Sequence, residues 1–140
     1  MNSERGSEAI NTVIVVPALL MIVAVIIMAG RLVVAHSAVE SAAAEAARAA
    51  SIARTQVEAN SNATAGAEAT LASQDLTCAS TTVTVDTSGF AAPVGTPAVV
   101  EATVTCVVPL SDLALSALPI PGSRTITATT ISPIDTYREH

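Results

Sequence analysis
The chain has no lysine and no tryptophan, and aromatic residues make up only 1% of its 140 residues. Without lysine, the basic side chains are six arginines set against twelve acids, a formal net charge of −6. That balance leaves no basic footprint for nucleic acid or anionic lipid, so no nucleic-acid partner is expected. The shortage of rings argues against a deep pocket for a small-molecule substrate, because aromatic side chains dominate well-filled cores and recognition surfaces. Chemistry motifs are missing as well. There is no Ser/His/Asp spacing, no glycine-rich phosphate loop, no clustered carboxylates, and no CxxC or HxxxH pair. The sequence therefore predicts no enzyme, no metal site and no cofactor. Histidine is limited to His36 and His140, and His36, without a second histidine at i+4, reads as a solvated polar residue.

What the chain does have is a hydrophobic content of 51%, built from Ala and Val. From Ala9 to Gly30 it carries no charge. As a helix, that stretch is about 33 Å long, against a hydrocarbon thickness of about 30 Å. Its centre is apolar on every face, unlike the stripe of a soluble amphipathic helix, so residues 9–30 are predicted to span a membrane. Pro17 lies within the span and predicts a bend near Val13. The competing reading is a cleaved secretory signal ending at Ala35-His36-Ser37. Against it, the apolar run exceeds the usual 7–15 residues of a signal core, and the segment before it is not net positive.

Two cysteines, Cys78 and Cys106, lie beyond the span. Pairing is the economical reading: a bridge would close a loop of about 29 residues, worth roughly 3–4 kcal/mol in the chain-entropy model, and would require an oxidising compartment. Two buried free thiols in a reduced protein are the alternative. Arg5 and the α-amine on one side of the span and Arg31 on the other leave the positive-inside bias almost tied. The cysteines break the tie, with the N-terminus cytoplasmic and the C-terminal part outside the cytoplasmic membrane.

After Arg31 the sequence is rich in alanine and free of Gly and Pro, which predicts that the span continues as one rod from Ile10 to about Asn60, roughly 75 Å long. Val39, Ala43, Ala46, Ala50, Ala53 and Val57 follow 4-3-4-3-4 spacing and share one face, a narrow stripe of small residues suited to close packing against a helix or the chain's own sheet. Glu45/Arg48 and Arg54/Glu58 are spaced for intrahelical pairs. Asn60 to Gly66 reads as a loop or kink, with a short helix resuming at Ala67–Ala72. Beyond Cys78, the segments Thr82–Val85, Val99–Val107 and Thr125–Ile131 alternate polar and apolar residues with β-branched enrichment, as strands with one wet face do. An antiparallel meander packed on the alanine stripe follows, with a short helical turn at Leu113–Ala117 in its second connection. The fold class is α+β. Its parts are a polar leader (1–8), a transmembrane helix (9–30), a helical stalk (31–76) and a small β domain (77–140).

Several local sequences stand in a characteristic order: Glu4-Arg5-Gly6-Ser7 before the span, Pro17-Ala18-Leu19-Leu20 within it, Gly30-Arg31 at its end, Ala46-Ala47-Arg48-Ala49-Ala50 in the rod, and Pro133-Ile134-Asp135-Thr136-Tyr137-Arg138 at the close. Together they resemble the TadE-like proteins of the tight-adherence (Flp pilus) system, over about residues 4–54 and again at the tail. The resemblance implies a type IV pilin-like architecture and a minor pilin or pseudopilin that assembles or anchors an adhesive pilus. It also implies cutting by a prepilin peptidase after Gly6, with Ser7 as the new N-terminus. Such proteins usually carry a glutamate five residues after the cut; here that position is Asn11, whose amide accepts a hydrogen bond but supplies no charge. The partners implied are the lipid bilayer, other pilin-like subunits and the assembly machinery. A second reading is a membrane-tethered accessory or binding protein that never enters a fibre.

Overall fold
A computed structural model of the chain describes residues 3–113 and 121–137, and within them side chains from residue 13 onward. Alanine, leucine and valine propagate one continuous helix, α1, from Ser3 to Ser51, passing through Pro17. The rod stops there rather than near Asn60. Ser51 Oγ donates to the Arg48 carbonyl at 2.8 Å and Ala53 N–H to the Ala50 carbonyl at 3.2 Å, which closes the last turn. Thr55 then caps a second helix, α2 (Gln56–Ser73), accepting from Glu58 N–H at 3.2 Å, while Glu58 Oε2 accepts from Arg54 N–H at 3.0 Å. This is a capping-box arrangement in which side chains satisfy donors that have no intrahelical acceptor.

α2 folds back along α1, so that Gly66 lies against Glu45 and Ala49. The loop expected over Asn60–Gly66 is the middle of this helix. Ala59, Ala63, Ala67 and Leu71, four residues apart, form its buried row, and packing that row on α1 outweighs the weak propensity of Asn and Gly. The stalk is thus a helical hairpin and not a single rod. Neither Glu45/Arg48 nor Arg54/Glu58 forms an ion pair among the described residues; Glu58 is engaged by backbone instead.

Three strands follow: β1 (Ser80–Asp86), β2 (Ala98–Pro109) and β3 (Ser123–Ile134), in the order β1-β2-β3 and antiparallel throughout. Each is longer than its alternating segment suggested. One face buries Val100, Ala102, Val104, Cys106 and Val108 of β2 with Ile126, Ala128 and Ile134 of β3, packed on α1. The opposite face is threonine-rich, and Thr103 with Thr129 (2.8 Å) and Thr105 with Thr127 (3.2 Å) share hydroxyl hydrogen bonds across the strands. A single helical turn, α3 (Leu110–Leu113), opens the β2–β3 connection; the rest of the turn expected over Leu113–Ala117 lies outside the described residues. A long N-terminal apolar helix packed against a small three-stranded antiparallel sheet is the α+β fold expected.

Between β1 and β2 the backbone turns at Ser88–Ala91. Ser88 N–H donates to Asp86 Oδ1 at 2.9 Å, and that backbone bond holds the Asp86 carboxyl below its usual range. Gly89 lies so close to the Val99 carbonyl that a Cβ there would overlap its oxygen. At Gly66 a Cβ would rest 3.5 Å from Ala49 Cβ, an ordinary contact. Chemical denaturation of the full chain in detergent micelles should therefore separate two formally identical changes. Gly89→Ala is expected to cost about 1–3 kcal/mol, and Gly66→Ala to stabilise by about 0.5–1 kcal/mol. Equal effects would refute the close approach at Gly89.

Candidate functional site: the two halves of the first helix
α1 carries two different surfaces in sequence. In its first half Val13, Ile14, Leu19, Leu20, Met21 and Ile26 are all more than half exposed, and the most apolar stretch buries none of its residues inside the protein. This helix is long and apolar enough to cross a membrane. The outward exposure of large apolar residues continues to Val33 and Val34. The candidate processing residues Gly6 and Ser7, and Asn11, fall on the helical backbone of α1, with side chains outside the described set.

The second half is built of small residues and is buried. Val39, Ala43, Ala46, Ala50 and Ala53 are at most 1% exposed. Val57 departs from them at 82% exposed, because the break at residues 52–55 takes it out of phase with the stripe and onto the open side of α2. The face is also wider than the sequence suggested: Ala35, Ala38, Ala42 and Ala47 are buried beside it, which lets one helix meet both α2 and the sheet. The wider face was visible as adjacent alanine pairs recurring along the helix, but a helix partner inside the same chain was needed to interpret it.

Cys78 and Cys106 are joined in a disulfide with Cα atoms 5.5 Å apart. The bridge ties the segment between α2 and β1 to the central strand, with Cys106 fully buried. His36 sits in the open with Glu40, Nδ1 to Oε1 3.8 Å. Among the described residues no group of three His, Cys, Asp or Glu side chains could hold a metal ion. The Ala35-His36-Ser37 alternative falls within uninterrupted helix, and its Ala35 is 3% exposed.

One cluster was not legible in the sequence. Arg31 of α1, Asp75 after α2 and Asp112 of α3 line a cleft of about 410 Å³ together with Ile27, Val34 and Leu76. Arg31 Nη1 donates to the Asp112 carbonyl at 3.3 Å. Three separate elements supply these charges, so no local spacing announces them.

Two outcomes test this architecture. Ala46→Leu should destabilise the full chain by more than about 2 kcal/mol through overpacking, whereas Val57→Leu should stay within about 0.5 kcal/mol; denaturant midpoints in micelles would show it, and comparable losses would disprove the seam. Cys78→Ser should cost about 2–4 kcal/mol without reductant and show no further loss when reductant is added, unlike the wild type.

Residues 6–48 match the model of the family described as TadE-like protein, the family that the leader, span and rod resemble. The match covers less than a third of the chain, ending within the alanine-rich half of α1 and leaving α2 and the sheet outside it. No curated protein and no solved structure matches the chain.

Proposed function
We propose that this chain is a membrane-anchored structural or assembly subunit of a Tad (Flp-type) pilus, a minor pilin or pseudopilin that works by helix packing and without turnover. The observation that carries the reading is the continuity of α1. One unbroken helix exposes large apolar residues over its first half and forms the core of a small α+β domain with its second. A subunit built this way transmits position from membrane to domain with no linker between them. The TadE-like match over residues 6–48 supports the pilus system as the setting. The disulfide supports an oxidising location for the domain, and with it the reading of a cytoplasmic N-terminus and a sheet outside the cytoplasmic membrane. Other pilin-like subunits and the assembly machinery are the partners in this reading, and a prepilin peptidase acts at Gly6.

A second reading, a tethered accessory protein that stays in the membrane, is favoured by one residue. Asn11 occupies the position where the family's usual glutamate would supply a charge for a neighbouring subunit's amine. Intact mass and terminal peptide mapping of protein from its native host decide between them. A start at Ser7 is expected for a processed pilin-like subunit. A start at Met1, with piliation unchanged on deletion of the gene, would establish the accessory reading, and a start near Ser37 would remove the anchor.

A further inference from the structure
The disulfide presents its two cysteines unequally. Cys106 is an inward residue of the central strand, paired in register with Thr81 on one side and Ile126 on the other, and it is 0% exposed. Cys78 lies in residues 74–79, which join α2 to β1 and belong to neither. It is only partly buried against the core, and with Leu71, Leu76, Thr77 and Thr81 it lines an open cleft of about 390 Å³ that Cys106 does not reach. Glu68 and Asp75 line the same cleft, and no basic residue does. The segment is anchored on both sides of the cysteine. Leu76 N–H donates to the Leu71 carbonyl at 3.1 Å, and Ala79 N–H to the Val107 carbonyl at 2.7 Å. The fold itself therefore holds Cys78 at the cleft.

We infer that Cys78 is the entry cysteine of the bridge, the residue that forms a mixed disulfide with a thiol–disulfide oxidoreductase, and that Cys106 is the resolving cysteine, reached only from within the molecule. Exchange begins when a thiolate attacks a disulfide sulfur, so access decides which sulfur is attacked. Cys106 has no exposed surface and offers a second protein no approach. In the closing direction the Cys78 thiolate attacks the oxidoreductase's disulfide. One S–S bond forms between the proteins, and the oxidoreductase's second sulfur leaves as a thiolate. The Cys106 thiolate then attacks the Cys78 sulfur, which makes the bridge and expels the oxidoreductase's first sulfur. The oxidoreductase departs as a dithiol, carrying two electrons and the two protons given up by Cys78 and Cys106. Opening runs the same path backwards: an incoming thiolate bonds to Cys78, and Cys106 leaves and takes a proton. The apolar surroundings of Cys106 disfavour its thiolate, which makes it a poor leaving group and protects the closed bridge. Glu68 and Asp75 set the charge that suits the cleft, repelling a thiol with a further negative charge and favouring one with a cation. None of these steps requires a pilus, so the outcome below leaves the pilus reading untouched.

The test uses the full, bridged chain in detergent micelles, exposed briefly to cysteamine or to 2-mercaptoethanesulfonate, two small thiols of opposite charge. The reaction is quenched with acid, the chain is denatured, and free thiols are blocked at low pH. Cleavage at Asp86 and Glu101 separates the two cysteines for peptide mass mapping. The small thiol is expected on Cys78 and the blocking group on Cys106, by about tenfold over the reverse. The rate should stay level in denaturant below the unfolding transition, because attack at Cys78 needs no unfolding. Divided by the same thiol's rate on an exposed model disulfide, the cysteamine rate should exceed the sulfonate rate by about threefold. Glu68→Gln/Asp75→Asn should remove that difference while attachment stays at Cys78. Attachment mainly at Cys106 or equally at both, or a rate that climbs with the first additions of denaturant, overturns the inference. So does equal reaction of the two thiols with the wild type, which would place the approach outside the acidic cleft.

Discussion
The close approach of α1 to two partners at once is possible only because its second half carries methyl-sized side chains. From Ala35 to Ala53 the buried positions are alanines apart from Val39 and Ser51, and α2 answers with Ala59, Ala63, Ala67 and Gly66. Small residues on both sides bring the backbones near enough for dispersion contacts along the whole interface. The arrangement has a thermodynamic consequence. A buried alanine removes about one methyl group from water, on the order of 0.8 kcal/mol, against about 1.5–3 kcal/mol for a Val, Leu or Ile. A core of this composition is therefore thin. The larger buried residues come mainly from the sheet: Val100, Val104, Val108, Ile126 and Ile134. The disulfide joins that sheet to the helical hairpin's exit at Cys78. Helix seam, sheet face and bridge are in this sense one device, since none of them carries enough apolar area alone.

The sheet shows how much the sequence discloses when local pattern and tertiary role agree. Alternation over 82–85, 99–107 and 125–131 marked the strands, and their inner residues line up in register, Val83 opposite Val104 and Val104 opposite Ala128. The helices show where agreement fails. An alanine-rich run without Gly or Pro offers no reason to stop at Ser51, so helix propensity extended it. The stop comes from Thr55 and Glu58, a T-x-x-E signature present in the sequence, and a few residues later Asn60 and Gly66 suggest a loop that packing on α1 overrides. Val57 was placed on the stripe for the same reason, because the arithmetic of spacing holds only while the helix is continuous. The charged cleft was illegible for a further reason: Arg31, Asp75 and Asp112 are 37 to 81 residues apart and meet only once the hairpin and the meander have formed.

Edge strands impose a separate constraint. β1 and β3 both border a three-stranded sheet, and β3 is 12 residues long with uncharged, β-branched residues through its centre. Such a strand is a template for pairing with another chain. Arg124 near one end and Pro133 near the other interrupt it, the first by charge and the second by lacking an N–H. On the outward face the hydroxyls of Thr103 and Thr105 are engaged with those of Thr129 and Thr127. Val99 and Ile131 are exposed on the sheet as well, but the long run of exposed large apolar residues among the described ones lies elsewhere, on α1.

That division gives α1 opposite side-chain rules within a single helix. Up to Val34 the residues are large, branched and outward facing, as a lipid-facing helix requires. From Ala35 on they are small and inward facing, as a helix buried on its packed side requires. The change occurs within about one turn, and Arg31 stands at it. Its bond to the Asp112 carbonyl links the helix to α3 at the level where both rules meet. Without packing at this level, the domain would touch the helix only above the apolar run, leaving a bare stretch of helix between membrane and core. Because the lower rim of the domain instead reaches Met28 and Leu32, the boundary between lipid and protein packing is shared by two surfaces on opposite sides of the same turn. The orientation of the domain relative to the helix is then set by core packing together with the Arg31 bond, with no hinge in between.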